Sequence, residues 1–152
     1  MDSENQLCEK IRSVLGSSRD RKAKAEQVAE IIRTSGRYRW VGIYEVDGEE
    51  IAALAWSGPG PPVHPRFPSS QGLCGAAVRS GAAVVVGDVT KDTRYLTTFG
   101  STRSEIVVPI MLSATRTVLG LIDAESERLN AFADVDGAFL EGCANVLASL
   151  WE

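Results

Sequence analysis

The chain has 152 residues, the length of one domain, with a net charge of −4 and a pI near 5.1. That balance disfavours nucleic acid and anionic membranes as partners, and no apolar run in it approaches the ~18 residues that span a bilayer. Its 44% hydrophobic and 24% charged residues are ordinary for a globular chain, and its length allows one substantial core.

The start, Met1-Asp-Ser-Glu-Asn-Gln6, is acidic and lacks the basic and apolar regions of a secretory leader, so the expected address is the cytoplasm. Ser3 and Gln6 have capping-box form, with a helix expected to about Leu15 and Leu7, Ile11, Val14 and Leu15 on one side. Gly16-Ser-Ser18 interrupts it. A second helix begins near Asp20 with Ala25, Val28, Ala29 and Ile32 as its stripe, and Gly36 is its expected stop. The pattern fits either two helices or one bent one.

Arg39 to Val46 reads as a strand, with Trp40, Gly42, Tyr44 and Val46 on one face and Val41 and Ile43 on the other. Asp47-Gly48 is a hairpin turn, and Ile51 to Trp56 is the return strand. Ser57 to Pro65 holds four of the six prolines and reads as a lid or a stiff connector. Gln71 to Gly81 is a short helix, Ala82 to Val86 a buried strand, and Gly87 to Thr102 a long polar loop.

Glu105 to Leu112 and Thr117 to Glu125 are nearly continuous apolar runs rich in β-branched residues. Such runs mark strands covered on both faces. The polar Ser113 to Arg116 turns between them. A closing helix is expected with Asp134 as N-cap, Asp136 favourable to the dipole, and Leu140, Cys143, Val146, Leu147 and Leu150 at helical spacing. Consecutive strand pairs imply an antiparallel sheet in an α/β fold of three layers. The terminal helices lie on one side, and the loops and short helix on the other. The apolar faces of the first and last helices are also candidates for pairing two copies into a homodimer.

Paired antiparallel, the last two strands bring Glu105 near the end that holds Asp123 and Glu125, which share a face. Ionised acids at the end of a buried hairpin are costly unless something positive meets them. Arg103 or Arg116 at a solvated strand end, an oxygen-preferring cation such as Mg²⁺ or Ca²⁺, or a ligand ammonium would serve. Asp123 continues a buried run directly, which favours the ligand; no resident metal is expected. Gly42 leaves a gap between Trp40 and Tyr44 in which the tail of such a ligand would sit.

Cys8, Cys74 and Cys143 are widely spaced, with no C-x-x-C and no zinc pattern. A reducing cytosol disfavours a structural disulfide. Cys143 falls on the stripe of the last helix and reads as core, and Cys8 as packing or surface. Cys74 opens the short helix, where a thiol pKa is lowered. His64, the only histidine, reads as a surface residue of the Pro-rich loop.

Three segments together resemble a GAF domain, and more narrowly the free methionine-(R)-sulfoxide reductases. They are Trp40-Val-Gly-Ile-Tyr44, Gly72-Leu-Cys-Gly-Ala-Ala-Val78, and Ser104-Glu-Ile-Val-Val-Pro109 followed by Gly120-Leu-Ile-Asp-Ala-Glu-Ser126. The likeness runs from about Ala23 to Leu150, so residues 1–152 are one GAF domain with 1–22 as an N-terminal helical extension. It implies five or six antiparallel strands between helices, with a small-ligand pocket on the loop side. It also implies a free amino acid as ligand, methionine or its sulfoxide, walled by Trp40 and Tyr44, with its amino group held by Glu105, Asp123 and Glu125.

The family's reaction, as the resemblance implies it, uses an attacking thiolate, a resolving cysteine and an external thiol or thioredoxin-type reductant, with no other cofactor. Cys74 matches the resolving position. The attacking position, seven residues before Glu105, is Thr98, and a further cysteine position, ten before Cys74, is His64. A threonine hydroxyl neither ionises near neutrality nor accepts oxygen onto sulfur. The sequence therefore favours a module that binds without reducing. An enzyme with Cys74 as its only pocket thiol is the second reading, and a signalling module acting on a separate effector chain the third.

Overall fold

The computed structural model describes residues 3–152, so the Met1-Asp2 part of the acidic start lies outside the described residues. Two helices open the chain, α1 (Glu4–Leu15) and α2 (Arg21–Gly36). They are separate because Asp20 starts α2 afresh: its carboxylate accepts the Ala23 N–H at 2.8 Å. Ser3 and Gln6 close the capping box on α1 as expected. Gly36 is the last residue of α2 rather than its stop. The left-handed position falls on Arg37, at φ 56°, one residue later.

The strands are β1 (Trp40–Asp47), β2 (Glu50–Ser57), β3 (Arg66–Pro68), β4 (Val84–Val86), β5 (Ser104–Leu112) and β6 (Thr117–Ser126). They form one antiparallel sheet in the order β3-β2-β1-β6-β5-β4. The short helix α3 (Gly72–Ser80) joins β3 to β4, and α4 (Asp134–Leu147) closes the chain. The cap of α4 is Ala133, not Asp134; Asp136 reaches back to accept the Ala133 N–H at 2.8 Å.

The sheet has an apolar layer on each face. Val41, Ile43, Ile106, Val108, Ile122 and Ala124 point toward the helices. Their neighbours one residue along, Trp40, Tyr44, Val107 and Leu121, point toward α3 and the loops. That alternation is why β5 and β6 carry nearly unbroken apolar runs. β4 breaks the expectation of a buried strand. It forms the sheet edge, and Val85 is 53% exposed. Three successive valines look interior by composition alone, but here Val86 is buried while Val85, on the opposite face, is left largely exposed.

On the helix side Leu7 and Ile11 of α1 and Leu140 and Cys143 of α4 are buried together, and α1 packs on α4. The apolar stripes that suggested a two-fold interface are thus used within the chain. No helix among the described residues is long and apolar enough to cross a membrane.

Candidate functional site

The sheet register gathers the acids. Glu105 of β5 faces Glu125 of β6, which faces Trp40 of β1 on its other side. One step along, Asp123 lies between Val107 and Gly42. Glu105, Asp123 and Glu125 are each no more than 3% exposed. The strand end is buried rather than solvated, and the ion pairs of the described residues, among them Arg21–Glu45 and Arg39–Glu127, all lie elsewhere. Glu105 Oε1, Asp123 Oδ1 and Glu125 Oε2 have no hydrogen-bond partner.

Three carboxyls so enclosed do not all ionise. Burial first, and the neighbouring carboxylates second, push Glu105, Asp123 and Glu125 well above the usual carboxylate range. Asp123 stands beside both Glu105 and Glu125, so the three carboxyls titrate together rather than singly. Hydroxyls partly offset this at Glu125: Thr102 Oγ1 donates at 2.8 Å, and the nearby Thr98 also lowers its pKa.

A pH prediction follows from these shifts. Above roughly pH 4 the unfolded chain has released protons that the folded chain still holds. The stability these groups supply is fully present below the unfolded carboxyl range and is lost as pH rises toward the raised folded values, at up to about 1.4 kcal/mol per pH unit for each proton held. The melting temperature of the ligand-free chain is expected to fall between about pH 5 and pH 8; a rise across that window would contradict the picture. Asp88 and Asp92, whose hydrogen bonds lower their pKa, contribute below that window.

Glu105 and Asp123 face a cavity of about 20 Å³ whose wall also includes Tyr44, Phe67, Cys74 and Thr98. At that size it holds a water-sized occupant. Its roof is made by the Pro-rich loop, which contributes His64, and by the loop before β5, which contributes Leu96 and Thr98. The Val63 N–H donates to the Thr98 carbonyl at 3.1 Å and ties the two together.

Tyr44, Cys74, Glu105 and Asp123 therefore meet at one cavity, while Trp40 and Glu125 stand behind its wall. Trp40 is 1% exposed, donates its indole N–H to the Gly60 carbonyl at 2.9 Å and meets Phe99 edge-on at 5.3 Å. Its ring lies over Gly42. The gap expected there is filled by the indole itself, and a Cβ at Gly42 would overlap that ring and approach Tyr44 at 2.9 Å. Gly42→Ala is accordingly expected to cost about 1–3 kcal/mol through overpacking. A urea melt showing no loss would mean that the indole is free to move aside.

Cys74 does not behave as its helix position suggested. Burial, reinforced by Asp123, Glu105 and Glu125, pushes its thiol well up rather than down. Desolvation of the buried thiol outweighs the field of a nine-residue helix. Cys143 lies on the opposite side of the sheet, in the helix-side core, and the half-buried Cys8 belongs to α1 on that same side. No described residue places a second thiol in the cavity.

Phe67 and Leu96 were missed as site residues. Phe67 sits on the three-residue β3, too short for any periodicity, and meets Tyr44 at 6.0 Å. Tyr95, Leu96 and Phe99 were the signal in the second loop: three large apolar residues amid polar ones.

The chain is thus a mixed α/β domain, an antiparallel sheet with helices on one face and a loop-roofed acidic cavity on the other. The GAF domain family model matches residues 20–150, and the chain belongs to that family. Within it the chain is related to the free methionine-R-sulfoxide reductases. It is 31% identical to the Neisseria meningitidis enzyme solved with its substrate, covering 97% of this chain and 87% of that one at a TM-score of 0.85. The type II enzyme of Thermoplasma acidophilum is 30% identical, with 95% and 94% covered and a TM-score of 0.77. The Saccharomyces cerevisiae free methionine-R-sulfoxide reductase is 34% identical over 110 residues, 71% of this chain and 60% of that protein.

Proposed function

We propose that the chain binds a free amino acid, methionine or methionine-(R)-sulfoxide, and does not reduce it. The observation that carries this reading is the set of buried carboxyls with unpartnered oxygens and no cation of their own at a cavity walled by Tyr44 and Phe67. An α-ammonium group supplies three donors and one positive charge to those oxygens. A thioether or sulfoxide tail suits the aromatic wall. Relatedness to enzymes that act on free methionine sulfoxide supports the same ligand class. An amino acid is larger than the cavity as it stands, so binding requires the His64 and Thr98 loops to part. Holding the ligand takes no cofactor.

Reduction is disfavoured by the sulfur inventory. Cys74 is the cavity's thiol, and its surroundings keep it protonated. Thr98, at the family's attacking position, offers a hydroxyl. A cytoplasmic sensor or carrier of the free amino acid fits this chemistry. The test is incubation with methionine-(R)-sulfoxide and dithiothreitol, with binding followed by calorimetry and methionine release by chromatography. Saturable binding without release is expected. Release that disappears in Cys74→Ser would overturn the non-catalytic reading in favour of a one-cysteine reductase.

A further inference from the structure

We propose that Cys74, Glu105 and Asp123 form a binding site for a thiophilic divalent cation, with Zn²⁺ the ion of best fit. The Cys74 Sγ and one carboxylate oxygen from each acid lie within 4.8 Å of one another, and all three residues are buried. The second observation is independent of that clustering. Glu105 Oε1 and Asp123 Oδ1 have no hydrogen-bond partner, and both residues line the cavity with Cys74. A buried carboxyl oxygen with no donor is a vacancy for positive charge.

The donor set selects among ions. Mg²⁺ and Ca²⁺ prefer all-oxygen shells, whereas sulfur with oxygen and nitrogen suits zinc. Zinc at about 2.3 Å from sulfur and about 2.0–2.2 Å from oxygen sets donor separations of about 3.3–3.7 Å in a tetrahedron. From separations of no more than 4.8 Å, the donors close by at most roughly 1–1.5 Å to reach that geometry. His64 lines the same cavity from the Pro-rich loop and offers a neutral nitrogen as fourth donor, with water as the alternative. Glu125, held by Thr102 at 2.8 Å, stands behind the ligands as an orienting partner. On loading, the S–H bond of Cys74 breaks, S–Zn and O–Zn bonds form, and the thiol proton and those held by the Glu105 and Asp123 carboxyls pass to buffer. The assignment does not rest on the amino-acid reading, although the two occupants exclude each other.

The test is titration of the reduced, chelator-treated full chain with Co²⁺ and then Zn²⁺. One equivalent of Co²⁺ is expected to produce thiolate-to-cobalt charge-transfer absorption, and Zn²⁺ to abolish it. Zinc should also raise the melting temperature and protect Cys74 from alkylation by iodoacetamide, read by mass spectrometry. Cys8→Ser keeps the absorption. Cys74→Ser loses it, with zinc affinity falling more than about 100-fold, beyond what loss of an outer-shell partner produces. Absence of the absorption in the wild-type chain overturns the site whatever the variants do. So does metal uptake without it, which would mean adventitious binding to surface acids. An absorption that survives Cys74→Ser or vanishes in Cys8→Ser overturns it as well. Methionine at saturation lowers the absorption if it enters the same cavity; an absorption indifferent to methionine leaves the metal site standing and counts against the amino-acid reading.

Discussion

Asp123→Asn is expected to weaken methionine binding by about 2–5 kcal/mol, roughly 30- to 5,000-fold, while raising the melting temperature of the ligand-free chain. The first effect follows from desolvation. Asp123 is 1% exposed, so its attraction for an ammonium is not screened by water, and removing one partner leaves the other charge unmatched. The second follows from the same burial read without ligand. Asp123 is flanked by Glu105 and Glu125, and its own desolvation is the largest cause of its raised pKa. An amide of the same shape carries no charge to desolvate and still offers a donor and an acceptor to its neighbours. A gain of about 1 kcal/mol corresponds to about 2–4 °C at this chain length. Opposite signs in one variant distinguish a binding site from a structural network. A variant that loses both stability and affinity would mean that the acids hold the fold together.

Thr98→Cys is expected to turn the chain into a methionine-(R)-sulfoxide reductase, with turnover under dithiothreitol rising about 10³-fold or more over wild type, the scale on which a nucleophile in a working unit contributes. Thr98 and Cys74 line one cavity, so the introduced thiol faces both ligand and partner. Its thiolate attacks the sulfoxide sulfur, oxygen passes to it as a sulfenic acid, and methionine leaves. The Cys74 thiol then attacks that sulfenic sulfur, water departs, and a disulfide forms that dithiothreitol reduces. Thr98 is buried and its carbonyl accepts the Val63 N–H, so some loss of stability accompanies the change. A folded variant that binds methionine yet shows no turnover would mean that the loop holds residue 98 out of reach of the sulfoxide.

The layers of this fold were legible because their signals are long. β5 and β6 carry runs of nine and ten residues whose two apolar faces announce cover on both sides. The capping box at Ser3 and the stripe from Leu140 to Leu150 located the terminal helices, although the last of these residues, Leu150, falls in the 3₁₀ turn Ala148–Trp151 after α4. The acid corner was legible too, because antiparallel pairing across a short turn leaves little freedom in where Glu105 meets Asp123 and Glu125. β3 was not legible. Three residues, one of them Pro68, follow a proline-rich loop, and a proline is tolerated there only because the strand is an edge. Side-chain direction was the other limit. Alternation puts Trp40, Gly42 and Tyr44 on one face, but only the structure reveals that the indole folds over Gly42 and that the hollow lies beyond Tyr44, toward Phe67. The Cys74 thiol differs from its sequence reading for a related reason: its helix is local in sequence, whereas the burial that dominates its pKa and the acids that reinforce it come from packing against β5 and β6.

The central claim is that the acid corner holds an ammonium group. Calorimetric titration of the full chain with methionine, and in parallel with 4-(methylthio)butanoic acid, which keeps the tail and the carboxylate but lacks the amine, tests it directly. Saturable binding of methionine, with binding of the amine-free analogue weaker by at least about 30-fold, is the expected result. Equal affinities for the two compounds would contradict it.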